Sequence, residues 1–235
     1  MPNPITQPEN ARSRRTRAAV LDAARELIAE RGFAATTMAA VAERAGVTRR
    51  AVYLHFATKA DLLAALFDHV NDREQLAASL QRVWRAPGPV AALGEWARHL
   101  ARFHPRIMDV DLAAECERYS DPDAAAHRAT VIADQRAACR RLAGWLHEEG
   151  DLAPSWTPAT ATDMLWALMS SALLRALLVD CGWSARSYAS QLAALLVRTF
   201  VRDGAQPPGT AEAPGAAGPP GATEAPGAAG LPGSG

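Results

Sequence analysis

Apolar and polar positions alternate with a helical period through most of this 235-residue chain. A first helix is expected over Thr16 to Arg31, with Val20, Ala24, Leu27 and Ile28 on one face and Gly32-Phe33 marking its end. Met38, Val41, Ala42 and Ala45 then recur at i, i+3, i+4 and i+7, the apolar face of a short second helix capped by Thr36 or Thr37. Gly46 supplies a left-handed stop, Val47 can plug the corner, and Thr48 can cap a third helix. On that helix Ala51, Val52 and Phe56 lie to one side, while Arg49, Arg50 and Tyr53 lie to the other. Further helices are expected at about Lys59 to Arg85, Val90 to Phe103 and Pro105 to Tyr119. A long seventh is opened by Ser120-Asp121-Pro122 and stopped by Gly150, an eighth runs from Thr157-Pro158 to about Asp180, and a ninth from Ser184 to Arg202. The chain therefore reads as all-α, with about nine helices.

Residues 37–56 form the arrangement of a DNA-reading helix-turn-helix: two short helices, a tight glycine corner and an outward basic face on the second. Arginine's planar fork matches guanine O6 and N7 or a phosphate, and tyrosine can donate to a phosphate oxygen. The segment from Arg15 to Phe67 resembles the N-terminal domain of the TetR family of bacterial regulators. The likeness rests on AARELIAERGF, TTMAAVAERAGV, the VY-x-HF end of the third helix and the K-x-x-L of Lys59 to Leu62. It implies phosphate contacts for Thr37, Tyr53, His55 and Lys59, and positions near the bases for Thr48, Arg49 and Arg50. Arg50 and Leu54 depart from the family's usual small and larger polar or aromatic residues, so no operator sequence carries over. For His55 two readings stand: helical spacing puts it beside Val52 as a structural histidine, whereas the family pattern makes it a phosphate contact.

Charge sharpens the division of labour. The formal net charge is zero, yet residues 1–60 carry ten Arg and Lys against five Asp and Glu, and residues 61–235 carry fifteen against twenty. A basic head precedes an acidic body. Arg12, Arg14, Arg15 and Arg17 read either as an arm for the minor groove and backbone or as a solubilising tail. The expected organisation is a disordered arm (1–13), the DNA-binding domain (14–74), a helical ligand-binding and dimerisation domain (75–202) and a disordered Gly/Pro/Ala-rich tail (203–235) containing the imperfect repeat AEAPGAAGPPG and TEAPGAAGLPG.

The eighth helix is apolar on most sides, and with the ninth it offers more apolar surface than one protomer needs. Arg175 interrupts it before a membrane-spanning length is reached. The family resemblance implies that these two helices pair with their copies in a homodimer, with Leu165, Leu168, Met169, Leu173, Leu192, Leu195, Leu196 and Phe200 as candidate interface residues. It also implies a small-molecule pocket among the fifth to eighth helices, for which Trp96, His99, Phe103, Tyr119 and Trp145 are candidates, with the fourth helix as the lever toward DNA. The alternative is a helical interaction protein, or a regulator answering to a protein and not to a small ligand.

Catalytic and metal patterns are missing from the sequence. Cys116, Cys139 and Cys181 are far apart and read as buried thiols, no nucleophile elbow, phosphate loop or metal-ligand spacing occurs, and Asp109, Asp111, Glu115 and Glu117 read as a solvated face. No cofactor, metal, membrane partner or enzymatic activity is expected, and the polar N-terminus leads to a cytoplasmic expectation.

Overall fold

A computed structural model describes residues 10–204, and among them the architecture is wholly helical apart from an isolated bridge between Leu152 and Val201. Ten α-helices follow one another: α1 (Ala11–Ala35), α2 (Met38–Arg44), α3 (Arg49–His55), α4 (Lys59–Arg73), α5 (Leu76–Trp84), α6 (Pro89–Glu117), α7 (Pro122–Glu148), α8 (Pro158–Ala167), α9 (Ser171–Arg175) and α10 (Ala185–Phe200). A π-helical turn, Ala176–Asp180, extends α9. The expected tail lies outside the described residues except for Asp203 and Gly204, as does the arm up to residue 9.

Three helix boundaries depart from the periodic reading. The expected fourth helix is broken at Gln75, which adopts a left-handed conformation (φ 59°) between α4 and α5. The expected fifth and sixth helices are one helix. Pro105 removes only the hydrogen bond its own N-H would have made, and packing on both flanks holds the 29-residue α6 continuous. The expected eighth helix bends by 46° at Leu168 to Ser170, where Ser170 leaves helical geometry and caps α9 by accepting from the Leu173 N-H (3.5 Å). Among the described residues no single helix is long and apolar enough to cross a membrane; this bent pair reaches such a length only when its two arms are joined. At the other end, α1 begins at Ala11, so Arg12, Arg14, Arg15 and Arg17 stand on a helix and not on an unstructured arm, with Asn10 capping it through the Ser13 N-H (2.7 Å).

Two apolar cores organise these helices. The first joins Val20, Leu27, Val41, Val52, Phe56, Leu66 and Val70 of α1 to α4, and it continues into Phe103, Ile107 and Val110 of α6. The second gathers Leu93, Trp96, Leu142, Leu146, Leu165, Leu192, Leu196 and Phe200. α6 runs through both cores, and the N-terminal helices rest on its second half. α4, the expected lever, and α6 both contribute to the head's core.

Candidate DNA-reading head and effector cavity

The corner between α2 and α3 closes as a Schellman motif. Gly46 sits at φ 65°, its N-H donates to Glu43 O (3.1 Å), and the Val47 N-H donates to Ala42 O (3.0 Å) while Val47 packs on the core. Thr37 caps α2 by accepting from the Ala40 N-H (3.2 Å), and Thr48 caps α3 by accepting from the Ala51 N-H (3.2 Å). Arg44 ties α2 to α1 through a two-pronged pair with Glu30 (both 2.8 Å) and a third bond to Glu26 (3.1 Å). These features fix the angle of α3, whose Val52 is fully buried while Thr48, Arg49, Arg50 and Tyr53 face outward. The Arg49 guanidinium lies 5.6 Å from the Tyr53 ring centroid, which holds both groups on one side.

Two predicted phosphate contacts are placed differently. His55 is only 7 % exposed and lies against Phe56, so its ring belongs to the wall of the head's core, as its spacing from Val52 suggested. Lys59 starts α4, but its ammonium turns back to donate to Phe33 O (2.6 Å) and Ala34 O (3.4 Å) and sits 4.0 Å from the Phe33 ring centroid. A cation at the carbonyl end of α1 is favourable. Burial draws its pKa below the usual lysine value.

In the body a cavity of about 290 Å³ opens between α4, α5, α6 and α7. Of the five candidate ligand residues, Trp96, His99 and Phe103 line it. The other two candidates do not: Tyr119 is 75 % exposed at the end of α6, and Trp145 borders a surface groove with Arg140, Arg141 and Glu148. Phe67, Asn71, His104, His127, Asp134 and Gln135 join the lining and were missed, because sequence spacing along one helix cannot say which faces of four helices converge. His99 stacks on Phe103 (centroids 5.5 Å, 18° between planes) and shares a hydrogen bond between its Nδ1 and Ser79 Oγ (2.9 Å). Burial, with some repulsion from His104 and Arg102, pushes its pKa down to about 3. His104 falls to about 4, again chiefly by burial. Both rings are therefore neutral at neutral pH.

A second cavity of about 310 Å³ adjoins the bend between α8 and α9 and shares Gln135 and Met169 with the first. Its wall holds a buried polar network. Arg128 donates to Asp111 Oδ1 (2.6 Å) and Glu115 Oε2 (3.0 Å), and Ser171 Oγ donates to Asp111 Oδ2 (2.7 Å). Asp111 is thus a structural carboxylate joining α6, α7 and α9 and not part of a solvated face; the one-dimensional pattern held no sign of its partners. Of the three cysteines only Cys139 is a buried thiol, its pKa raised to about 12 by burial, whereas Cys116 and Cys181 are exposed. No group of three or more His, Cys, Asp or Glu side chains among the described residues could hold a metal ion.

The predicted interface list needs correction. Leu192, Leu196 and Phe200 are buried inside the protomer where α10 packs on α6, and Leu165 and Met169 are buried at α8, which packs on α7, and at the bend after it. A side chain already covered has no area left to give a partner. The apolar groups left outside are Leu173 and Leu195 of the original set, the half-buried Leu168, and Met164, Val179 and Trp183.

A helical body carrying an N-terminal head whose third helix holds an exposed basic face defines the class: a helix-turn-helix DNA-binding regulator. The chain belongs to the TetR family. The family model described as bacterial regulatory proteins, tetR family, matches residues 20–66. The transcriptional repressor LfrR of Mycolicibacterium smegmatis is 31 % identical over 169 residues, covering 69 % of this chain and 80 % of that protein. The regulator TtgR of Pseudomonas putida is 47 % identical over 95 residues, 40 % of this chain and 44 % of TtgR, so here the likeness spans less than half of the relative. Among solved structures, NalD, the secondary repressor of the MexAB-OprM multidrug efflux pump in Pseudomonas aeruginosa, superposes with a TM-score of 0.63 at 26 % identity, covering 81 % of this chain and 99 % of NalD.

Proposed function

We propose that this chain is a homodimeric transcriptional repressor that binds a palindromic operator through α3 and is released from it by a small molecule held in the body. The observation that carries the reading is the outward set Thr48, Arg49, Arg50 and Tyr53 on a helix whose opposite side is locked into the head's core. Residues 14–74 act as the reader and residues 75–202 as the sensing and dimerising body. Thr37 caps α2, the helix before the reader, and its hydroxyl with the first amides of α2 suits a phosphate. Pairing follows from the exposed apolar groups of α8, α9, the π turn and α10, which on a second copy would bury one another and set two heads at half-site spacing. LfrR and NalD, as repressors, support repression as the direction of control.

Coupling has a physical route. The effector cavity touches α4 and α6, and both carry residues of the head's core. A ligand that prefers the non-binding head spacing by about 1–3 kcal/mol lowers operator affinity by about 5- to 150-fold.

The test is gel shift with the promoter next to the gene for this chain. Arg49→Ala with Arg50→Ala abolishes the shift while light scattering still shows a dimer. Undiminished binding by that variant overturns the assignment of α3 as the reader.

A further inference from the structure

The aromatic cavity has a one-sided charge. Asp68 and Asp134 are among its lining residues, and no Lys or Arg is among the described residues that line it; Arg17 of α1, outside the lining, lies within electrostatic reach of Asp68 and offsets part of its charge. The guanidiniums felt at its histidines line neighbouring clefts instead: Arg102 faces Glu95 (3.6 Å) and Arg128 is bound by Asp111 (2.6 Å). The two buried histidines add no positive charge, since their pKa values lie near 3 and 4. Three aromatic residues, Phe67, Trp96 and Phe103, are in the lining, and an aromatic ring attracts a cation through its negative face.

Hydrogen-bonding capacity points the same way. Asn71 Oδ1 and His127 Nε2 belong to lining residues, are shut off from solvent and have no hydrogen-bond partner among the described residues. Buried polar atoms in that condition are uncommon, because each forfeits its interaction with water and receives nothing in return. The Asn71 carbonyl oxygen accepts only, so an N-H donor brought by a ligand satisfies it, and His127 Nε2 is a second polar atom left for a ligand to pair with. The cavity volume of about 290 Å³ is at the small end of ligand pockets, about 300–1,000 Å³, and fits one or two fused rings with a short polar arm.

We propose that the effector of this cavity is a protonated amine carried on an aromatic ring system, its rings against Phe67, Trp96 and Phe103 and its ammonium toward Asn71 and the carboxylates of Asp68 and Asp134. The inference rests on the reading of the cavity as the effector site, and the two are separable by experiment.

Three probes with the same ring and different charge are titrated into the full chain by calorimetry: 1-naphthylmethylamine, 1-naphthylmethanol and 1-naphthylacetate. The amine binds about tenfold or more tighter than the alcohol, the order of a cation–π contact and exposed ion pairs acting together, and the acetate binds weakest. Asp68→Asn with Asp134→Asn, both at exposed positions, reduces the advantage of the amine to within a few-fold of the alcohol and leaves the alcohol unchanged. Ala138→Phe, which fills the cavity from its wall, abolishes binding of all three. Acetate binding as tight as the amine overturns the charge preference and leaves the effector cavity standing. Binding of no probe, or binding that survives Ala138→Phe, overturns the cavity reading and the proposal together.

Discussion

Two histidines held neutral inside the body make stability of this protein depend on pH in a defined direction. His99 and His104 are 1 % and 5 % exposed, and burial draws their pKa values to about 3 and about 4. In the unfolded chain each returns to about 6.5, so between roughly pH 6.5 and pH 4 the unfolded state binds protons that the folded state refuses. Stability therefore rises with pH through this window and is lost as pH falls. At pH 5 both folded values lie below the solution pH, and the cost is set by the unfolded pKa alone: about 2 kcal/mol for each ring, or about 4 kcal/mol for the pair. For a body of this size that corresponds to a fall in Tm of roughly 8–16 °C between pH 7.5 and pH 5. Other groups titrate in the same range, and a difference measurement removes them. His99→Gln keeps a polar group for Ser79 and deletes one titrating ring, so the stability it loses between pH 7.5 and pH 5 is smaller than the wild-type loss by about 2 kcal/mol. The assay is urea unfolding followed by tryptophan fluorescence at both pH values. Parallel pH dependences of wild type and His99→Gln would refute the reasoning.

Three other perturbations probe separate parts of the molecule. Arg128→Leu leaves the buried Asp111 carboxylate with Ser171 alone and destabilises by about 3–5 kcal/mol in urea unfolding, whereas adding Asp111→Asn recovers part of that loss. Gly46→Ala places a Cβ at φ 65° with open space around it, so the cost is backbone strain of about 1–2 kcal/mol with no steric clash, read by thermal unfolding; a loss above twice that range refutes the description of the corner. Leu195→Asp, at a position 48 % exposed on α10, yields monomers by light scattering and weakens operator binding, while a dimer that persists moves the interface elsewhere.

The reading head was the part most open to inspection of residues. Its helices are short and local, each cap lies within three residues of the N-H it satisfies, and Gly46 marks the turn because few other residues accept that backbone. Helix type was legible throughout the body as well, but boundaries were not. Gln75 carries no mark in sequence of its left-handed conformation, and Pro105, a strong breaker by local rules, lies inside a helix because packing on both flanks outweighs one lost hydrogen bond. Leucines on α8 and α10 read as an interface because they were apolar; the fold showed that Leu165, Leu192 and Leu196 are already buried inside the protomer, leaving Leu195, Leu173 and Trp183 outside.

By itself, then, the sequence determined the elements: period, caps and glycine corner act over three or four residues, the reach of hydrogen bonds along one chain segment. The tertiary structure decided everything that depends on distant segments meeting. Asp111 and Arg128 are seventeen residues apart and Asp111 and Ser171 sixty, yet they form one buried network. Phe67, Trp96 and His127 come from three helices to wall one cavity. Lys59 closes the end of α1 twenty-six residues before it. Such contacts depend on how amphipathic faces converge once water is excluded, and periodicity along a helix gives the direction of a face without naming what it will meet.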